Sequence, residues 1–290
     1  MAESQDSSSA LKVMLRIRPP NDENGRVTIN VIDDKTVQTI PPESLKASSK
    51  HNVTQVKEFS FTGVHGPSST QEEVYCSTAA PLVESLVNDG RSGLLFSYGI
   101  TNAGKTHTIL GNDEHPGILP RALESLFEYL SKQEASDTPS PSIVLSYLEI
   151  YNENIYDLLA EGGMLKKKEG LRLVDRRGHI EVKDLSRRPI GSAREGLALL
   201  ARGGRQRAVA QTKLNLDSSR SHSVATLQLG EGPEAPALWV VDLAGSERGK
   251  RTQVGATGQR QAEANRINAS LSTLWRCLDV LRQNQARKGG

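Results

Sequence analysis

Residues 94–106 read LLFSYGITNAGKT, an apolar run that enters a glycine-rich segment. Gly99 through Thr106 fit the pattern G-x-x-x-x-G-K-[ST], in which glycines let backbone N–H groups turn toward phosphate oxygens. The apolar run before them is typical of a buried central strand. A helix is expected from about Lys105 onward. The stretch therefore predicts a strand, a phosphate-binding loop and a helix in succession.

The rest of the chain continues this alternation of strands and helices. Period-two patterns and apolar runs predict strands at residues 11–17, 27–32, 36–40, 143–151, 221–229 and 237–241, with a hairpin at 171–182. Apolar residues at helical spacing predict helices at 70–87, 119–130, 192–210 and 261–285. Residues 41–57 lack periodicity and are expected to be loop. Interleaved strands and helices predict an α/β layered fold.

Composition excludes several classes of protein. The 290 residues are 24% charged and 36% hydrophobic, which excludes collagen-like and fully disordered chains. No window approaches the roughly 18 uninterrupted apolar residues of a membrane-spanning helix. The polar, acidic start of the chain does not resemble a secretory signal. Two cysteines are too few for disulfide bonds to stabilise a chain of this size, and no Cys/His cluster has metal-ligand spacing. A reduced, intracellular protein is therefore expected.

Charge is distributed unevenly along the chain. The net charge is +2, from 36 Lys/Arg against 34 Asp/Glu. Residues 201–290 carry 14 basic and 7 acidic side chains, whereas residues 1–200 carry 22 and 27. A basic last third can attract nucleic acid or an acidic protein surface, and it is equally compatible with a solvated basic face.

Two further motifs suit phosphate chemistry. Asp242 begins the sequence DLAG directly after a predicted strand, where a carboxylate beside a phosphate loop can help to hold Mg²⁺. Residues 215–222 read NLDSSRSH, in which clustered hydroxyls could position a water molecule or bind the metal. The same cluster standing alone would be a polar loop that caps a helix. Lys105 would reach the outer phosphates, and the Thr106 hydroxyl would bind Mg²⁺.

These motifs together resemble the motor domain of the kinesins. The resemblance rests on SSRSH at 218–222 and DLAGSER at 242–248, with GITNAGKTHT upstream, and extends to RIRP at 16–19, YLEIYNENIYDLL at 147–159 and NRINASLSTL at 265–274. It spans about residues 11–285 and is closest to the mitotic kinesin-like proteins of the spindle midzone. It implies a P-loop NTPase three-layer sandwich whose central sheet, mostly parallel or mixed, has helices on both faces. The implied domains are a disordered tail at 1–10, a motor domain at 11–286 and a tail at 287–290.

The resemblance also implies roles for individual residues toward ATP and Mg²⁺. The nucleotide-binding residues would be Arg16, Arg18, Pro19, Gly99, Ile100, Thr101, Asn102, Ala103, Gly104, Lys105, Thr106 and His107, with His107 stacking on the adenine. The metal-binding residues would be Thr106, Ser219 and Asp242. The catalytic residues would be Ser218, Ser219, Arg220, Gly245 and Glu247. In that scheme Gly245 senses the γ-phosphate, and Arg220 pairs with Glu247 to close the site for hydrolysis.

The implied partner is the microtubule, whose tubulin is acidic. The basic residues expected to face it are Arg248, Lys250, Arg251, Arg260, Arg266, Arg276 and Arg282. Neither nucleic acid nor a membrane is an expected partner, and dimerisation would use regions outside this chain. The expected location is the cytoplasm and its microtubule cytoskeleton, including the mitotic spindle.

The motifs and the basic last third fit three functions to different degrees. The leading hypothesis is a microtubule-dependent motor ATPase, and the alternative is a nucleotide-binding microtubule adaptor or non-motile fragment. A P-loop NTPase acting on nucleic acid would fit the basic third but not SSRSH with DLAGSER. Kinesin motors continue past the long helix, so this chain is expected to lack the last strand and helices of the fold. Unpaired strand edges and marginal stability are expected to follow.

Overall fold

A mixed β-sheet with helices packed against it forms the larger part of the chain. The computed structural model describes residues 11–20, 28–41, 55–133, 141–162, 170–176, 178–214, 218–246 and 258–288. These described residues fall into two compact units, one within the range 71–274 and one within the ranges 11–70 and 275–288. The predicted tail at 1–10 lies outside the described residues.

Strands and helices alternate along the chain as the sequence predicts. In chain order the elements are β1 (Met14–Arg16), β2 (Ile29–Val31), β3 (Thr36–Thr39), β4 (Lys57–Ser60), β5 (Gly63–His65), α1 (Gln71–Thr78), α2 (Ala80–Asp89), β6 (Gly93–Ser97), α3 (Lys105–Ile109), α4 (Ile118–Gln133), β7 (Ile143–Tyr151), β8 (Asn154–Asp157), β9 (Leu173–Arg176), β10 (His179–Val182), β11 (Arg188–Ile190), α5 (Ala193–Leu214), a 3₁₀ turn (Ser218–Arg220), β12 (Ser221–Leu229), β13 (Ala237–Asp242) and α6 (Gly258–Lys288).

The main sheet has the strand order β11-β7-β12-β13-β6, with β8 paired to β7 as well. Its longest pairing joins β7 and β12 antiparallel, from Ser221 opposite Tyr151 to Leu229 opposite Ile143. The β13–β6 pair is parallel, and the other described pairs of this sheet are antiparallel. Of the two arrangements left open by the sequence, mostly parallel or mixed, the described strands form the mixed one.

Strand β6 lies at the edge of the described sheet. This differs from the central position predicted from its apolar run, and it matches the unpaired strand edges that the sequence also predicts. Within the described residues β6 pairs only with β13. Leu94 is 54% exposed and Tyr98, just beyond the strand, is 50% exposed. An apolar run shows that a strand can be buried. Which strands lie beside it depends on pairing between distant segments of the chain. The pairing places Ser97 beside Asp242, where the parallel strands end.

Helices lie on both faces of the sheet, as the α/β prediction requires. On one face, Ala225 and Leu227 of β12 join an apolar core with α2, α4 and α5. Side chains alternate between faces along a strand, so His222 points to the other face. There its ring contacts Ser270 of α6, and the adjacent Leu271 is buried. The three-layer arrangement follows from this alternation.

The predicted helix at 70–87 is two helices, α1 and α2. The break falls at Ala79, and Pro81 lies in the first turn of α2. Proline has no backbone N–H to donate to the preceding turn, which favours the first turn of a helix and opposes its interior. Gly90 then ends α2 in a left-handed conformation, with φ of +61°.

The smaller unit contains two further sheets. Strands β2, β3 and β4 form one antiparallel sheet, and β1 pairs parallel with β5. The β2–β3 hairpin was predicted, whereas β4, β5, β8 and β11 were not. Each of these is only three or four residues long and carries little periodicity. Among the described helices, none combines the length and apolar character needed to cross a membrane.

Substitutions at two neighbouring glycines of α5 should have opposite effects on stability. A Cβ at Gly203 would lie 2.6 Å from Cδ1 of the buried Tyr147, whereas one at Gly204 would meet nothing within 4 Å. We expect Gly203→Ala to lower the free energy of unfolding by about 1–3 kcal/mol through overpacking. Gly204→Ala should raise it by about 0.5–1 kcal/mol, because alanine loses less backbone freedom on folding. Urea unfolding measures both, and equal losses would contradict the close packing of α5 on β7.

Candidate nucleotide site

The glycine-rich segment forms a curled loop between β6 and α3. Asn102 and Gly104 have positive φ angles of +63° and +95°. The Ala103 N–H donates to the Ile100 carbonyl over 3.1 Å. Glycine adopts such backbone angles readily and asparagine more readily than most other residues, which is why this sequence can turn here. The loop closes directly into α3, with Gly104 at its N-cap position.

The Lys105 ammonium lies over this loop. Its Nζ donates to the carbonyls of Gly99 at 3.0 Å and Ile100 at 2.9 Å. A positive charge is thereby held beside the glycine-rich backbone at the first position of α3. The placement suits a group that neutralises bound phosphate.

Asp242 joins the loop to the end of β13. The Thr106 hydroxyl donates to Asp242 Oδ2 over 2.6 Å, and the Ser97 hydroxyl donates to Oδ1 over 3.2 Å. The parallel β6–β13 register brings these groups together at one edge of the sheet. A hydroxyl and a carboxylate are oxygen donors of the kind that Mg²⁺ prefers, and Mg²⁺ takes few protein ligands when it also binds phosphates. The residues therefore fit a Mg-nucleotide. Among the described residues no cluster of three His, Cys, Asp or Glu side chains could hold a metal alone.

A buried polar network supports Asp242 from the core side. Arg207 of α5 contacts Glu149 Oε1 at 2.9 Å and Asp242 Oδ2 at 3.6 Å. Its guanidinium also donates to the hydroxyls of Ser223 at 3.3 Å and Ser221 at 3.2 Å. The Ser221 hydroxyl donates to Glu149 Oε1 over 2.5 Å. Arg207 thus connects two buried carboxylates that belong to different strands.

Electrostatics in this network favour a charged Arg207. Burial alone would lower the pKa of Arg207, but Tyr147 and the carboxylates of Glu149 and Asp242 together raise it above its ordinary value. Burial raises the pKa of Tyr147 above its ordinary value. Burial also lowers the pKa of His222; the nearby Arg207 charge lowers it further, and Asp242 opposes both.

Sequence reasoning missed Arg207 and Glu149, although both carried a signal. Gly196, Leu200, Gly203 and Arg207 recur at spacings of four, three and four, which places an arginine on the buried face of α5. Glu149 likewise is the one charged residue in the mostly apolar strand 143–151. A charged residue at a core position needs a partner of opposite charge. The presence of either residue at a core position was therefore a signal that the other lies nearby.

The loop after β13, here called the 242–246 loop because it starts at the last residue of that strand, is held by three consecutive backbone amides. The Ala244 N–H donates to His222 Nδ1 over 2.9 Å. The Gly245 N–H donates to the Ser219 carbonyl over 2.6 Å, and the Ser246 N–H donates to the Gly99 carbonyl over 3.1 Å. Gly245, predicted as a phosphate sensor, therefore lies beside both the 3₁₀ turn and the phosphate loop.

The structure places the remaining predicted residues as follows. Ser219 and Arg220 are half-buried in the 3₁₀ turn, close to the 242–246 loop through the Ser219 carbonyl. The backbone of Ser218 is in the same turn. Glu247 lies outside the described residues. Arg16, Arg18 and Pro19 belong to the smaller unit, where burial lowers the pKa of Arg16.

His107, the predicted adenine-stacking residue, is exposed on α3 and is held by a buried glutamine. Gln71 Nε2 donates to the His107 carbonyl over 2.6 Å and lies 3.3 Å from His107 Nδ1. Gln71 was not among the predicted site residues. Its position at the start of α1 gives α3 a fixed neighbour outside the phosphate loop.

The basic residues predicted to face a filament divide between described and undescribed segments. Arg248, Lys250 and Arg251 lie outside the described residues, and Arg260 belongs to α6. Arg266 donates to Asn152 Oδ1 at the turn between β7 and β8. Arg276 is exposed, and Arg282 pairs with Asp279 at 3.1 Å.

Comparison with known proteins gives consistent matches. A family model described as the kinesin motor domain matches residues 16–288. The chain is 34% identical over 283 residues to Kinesin-like protein KIF22 of Danio rerio, covering 94% of this chain and 43% of that protein. It is 38% identical over 293 residues to Kinesin-like protein KIN-14G of Arabidopsis thaliana, covering 96% and 28%. For Kinesin-like protein KIF23 of Mus musculus the identity is 31% over 356 residues, covering 94% and 37%. The chain spans less than half the length of these relatives.

Solved structures agree with these relatives. One described as "kinesin 6" superposes with a TM-score of 0.72 at 29% identity, covering 95% of this chain and 83% of that one. A second, described as "Structure of a fast kinesin: Implications for ATPase mechanism and interactions with microtubules", gives a TM-score of 0.73 at 30% identity, covering 89% and 72%. The matches extend over several named kinesins, so similarity to the spindle-midzone class in particular stays a prediction.

Proposed function

This chain belongs to the kinesin motor domain family, and from that premise we propose that it is a microtubule-stimulated ATPase. It binds Mg-ATP at the loop between β6 and α3 and uses hydrolysis to switch its affinity for microtubules and drive movement along them. The observation that carries the proposal is the hydrogen bond from Thr106 to Asp242. It joins the phosphate loop to the end of β13 with the oxygen donors that a Mg-nucleotide needs.

The residues of the site would share the work of binding and turnover. Mg-ATP, when bound, supplies the phosphate bond that is cleaved and a divalent charge that offsets the phosphate charge. Lys105 would hold negative charge at the loop, and Thr106 would bind the metal with support from Asp242 and Ser219. Ser218 would orient the attacking water. Gly245, whose N–H donates to the Ser219 carbonyl in this structure, would sense the γ-phosphate.

The filament-facing surface would include α6 and the segment that enters it. The basic side chains of this region would attract acidic tubulin, and salt would weaken the attraction by screening. The protein would accordingly act on the microtubule cytoskeleton of the cytoplasm, including the spindle. Dimerisation would use regions outside this chain.

A steady-state measurement tests the proposed function. ATP hydrolysis by the 290-residue chain is followed with and without polymerised microtubules, and Mg²⁺ is removed in a parallel series with a chelator. We expect microtubules to raise the rate and the chelator to abolish it. A chain that binds nucleotide but is not stimulated would overturn the motor ATPase in favour of a nucleotide-binding microtubule adaptor.

Glu247→Ala should slow turnover while nucleotide binding stays largely intact. The proposed partner of Glu247 is Arg220, and loss of a charge-assisted contact that holds the closed state costs about ten- to a hundredfold in rate. The variant kcat and the affinity for a fluorescent ATP analogue are measured together.

A charge-swapped variant is the control for this mechanism. Arg220→Glu combined with Glu247→Arg restores a pair of opposite charges and should recover part of the lost activity. A parent-like rate in Glu247→Ala alone would show that the pair does not contribute to hydrolysis.

A further inference from the structure

The buried side chain of Gln71 joins α1 to α3 and to the turn that follows α3. Gln71 is the first residue of α1 and is 6% exposed. Its Nε2 donates to the His107 carbonyl over 2.6 Å and to the His115 carbonyl over 3.4 Å, and it lies 3.3 Å from His107 Nδ1. One amide group therefore contacts the backbone of α3, the turn after it and the His107 ring.

These contacts fix which way the Gln71 amide points. Two carbonyl oxygens lie beside Nε2, so an amide oxygen in that position would face two other acceptors. The NH₂ group is therefore on this side, and His107 Nδ1 is the acceptor toward it. The imidazole is thus held by a contact of its own, separate from the contact that holds its backbone.

The end of α3 leaves the His107 carbonyl for Gln71. The Leu110 N–H donates to the Thr106 carbonyl over 2.8 Å, which closes the last turn of the helix. The next carbonyl, that of His107, accepts from Gln71. Helix ends leave carbonyls that need donors from elsewhere, and a glutamine side chain supplies one here. Val74 of the same α1 is buried in the apolar core, so α1 is anchored where it makes this contact.

The His107 ring gains most from such a neighbour because it is exposed. Exposed side chains exchange rapidly between rotamers, and a ligand that needs one rotamer loses affinity by ordering the side chain. A ring that is already held loses less on binding. His107 lies two residues after Lys105 and is the residue predicted to stack on the adenine.

We propose that Gln71 is a positioning residue for the nucleotide base: it holds the His107 imidazole in one orientation before binding and so raises the affinity for adenine nucleotides. The inference rests on the proposed function, in which Mg-ATP binds at the loop between β6 and α3 with its base at His107. Gln71 contacts neither the base nor the phosphates in this scheme. Its effect should therefore be on the base and not on the phosphates that Lys105 and Thr106 hold.

Three variants isolate the contact with the ring. Gln71→Met keeps the length of the side chain and removes its N–H donors. His107→Ala removes the ring and keeps the carbonyl, so combining the two substitutions separates the ring contact from the backbone contact. Gln228→Met is the matched control, because the Gln228 Nε2 likewise donates to two carbonyls, those of Gly230 at 3.2 Å and Gly232 at 2.8 Å, in the turn between β12 and β13.

The experiment measures the affinities of the 290-residue chain and these variants for ATP and for tripolyphosphate, which has no base. Both are measured with Mg²⁺ by competition against a fluorescent ATP analogue, and circular dichroism verifies folding. Gln71→Met should weaken ATP binding about three- to tenfold, the size of one neutral hydrogen bond, and leave tripolyphosphate binding close to the parent. Adding Gln71→Met to His107→Ala should cost little more, because both act through one ring. Gln228→Met should bind both ligands like the parent.

Several results would overturn the inference. Parent-like ATP affinity in Gln71→Met would do so, and so would an equal loss for tripolyphosphate, which would indicate a displaced phosphate loop. Losses that add in the double variant would show that Gln71 does not act through the ring. If Gln71→Met does not fold, Gln71→Asn replaces it, since its shorter amide does not reach the ring, and the same outcomes decide.

The two proposals fail in different ways. A parent chain that binds ATP without stimulation by microtubules overturns the motor ATPase alone, and the affinities still decide the role of Gln71. A parent chain that binds no ATP overturns both.

Discussion

Replacing Lys105 by alanine is expected to abolish ATP hydrolysis and to weaken nucleotide binding strongly. The ammonium lies over the glycine-rich loop and donates to the carbonyls of Gly99 and Ile100, which places its positive charge at the proposed phosphate position. Hydrogen bonds from a charged donor contribute about 1.5–3 kcal/mol, which is about ten- to a hundredfold in affinity. Loss of a positioned donor at the reacting group costs a further hundred- to thousandfold in rate, on the order seen for such groups.

Lys132→Ala is the matched control for this substitution. Lys132 is 66% exposed and pairs with Glu128 one helical turn away, so the variant changes net charge equally without touching the loop. Phosphate release and binding of a fluorescent ATP analogue are measured in both variants, with circular dichroism to verify folding. Hydrolysis by Lys105→Ala at the parent rate would refute the phosphate-loop assignment.

The second large effect is expected from replacing Arg207, which should lower the free energy of unfolding. Removing one member of a buried ion pair leaves an uncompensated charge and costs about 3–5 kcal/mol. Arg207→Met would leave the carboxylates of Glu149 and Asp242 buried in the same network without their cation. The free energy of unfolding of a domain is only about 5–15 kcal/mol, so the substitution should remove a large part of it. The midpoint of urea unfolding should fall sharply.

Two further variants make this prediction specific. Arg188→Ala removes an arginine from an exposed pair with Glu161 and should cost no more than about 1 kcal/mol. Combining Arg207→Met with Glu149→Gln removes both charges of the pair and should recover part of the lost stability, as neutral replacements of buried pairs often do. Equal losses in Arg207→Met and Arg188→Ala would show that the buried network does not support the fold.

The sequence predicted the elements whose signal is local. The phosphate loop, the strands at 143–151 and 221–229, the hairpin at 171–182 and the long C-terminal helix all carry their own periodicity or motif, and each is present. Short strands such as β5 and β11 carry none, because three residues cannot show a period. Their pairing is decided by partners elsewhere in the chain.

Features that depend on contact between distant segments were harder to predict. The position of β6 at the edge of the described sheet is decided by its neighbours and not by its own apolar residues. Arg207 and Glu149 meet only because α5 packs on β7, 58 residues earlier in sequence. The Asp242–Thr106 contact was anticipated as a shared metal role, although the direct hydrogen bond between the two side chains was not.

The 242–246 loop has a kinetic consequence. Its three consecutive amides donate to a side chain of β12, to the 3₁₀ turn and to the phosphate loop, so no single peptide unit can rotate without disturbing its neighbours. Protection against exchange is lost in cooperative units when hydrogen bonds open together. Ala244, Gly245 and Ser246 should therefore exchange as one unit, with a shared opening rate instead of three separate ones. The loop would then change between discrete arrangements, and the slowest of the three bonds to break would limit how fast it does so.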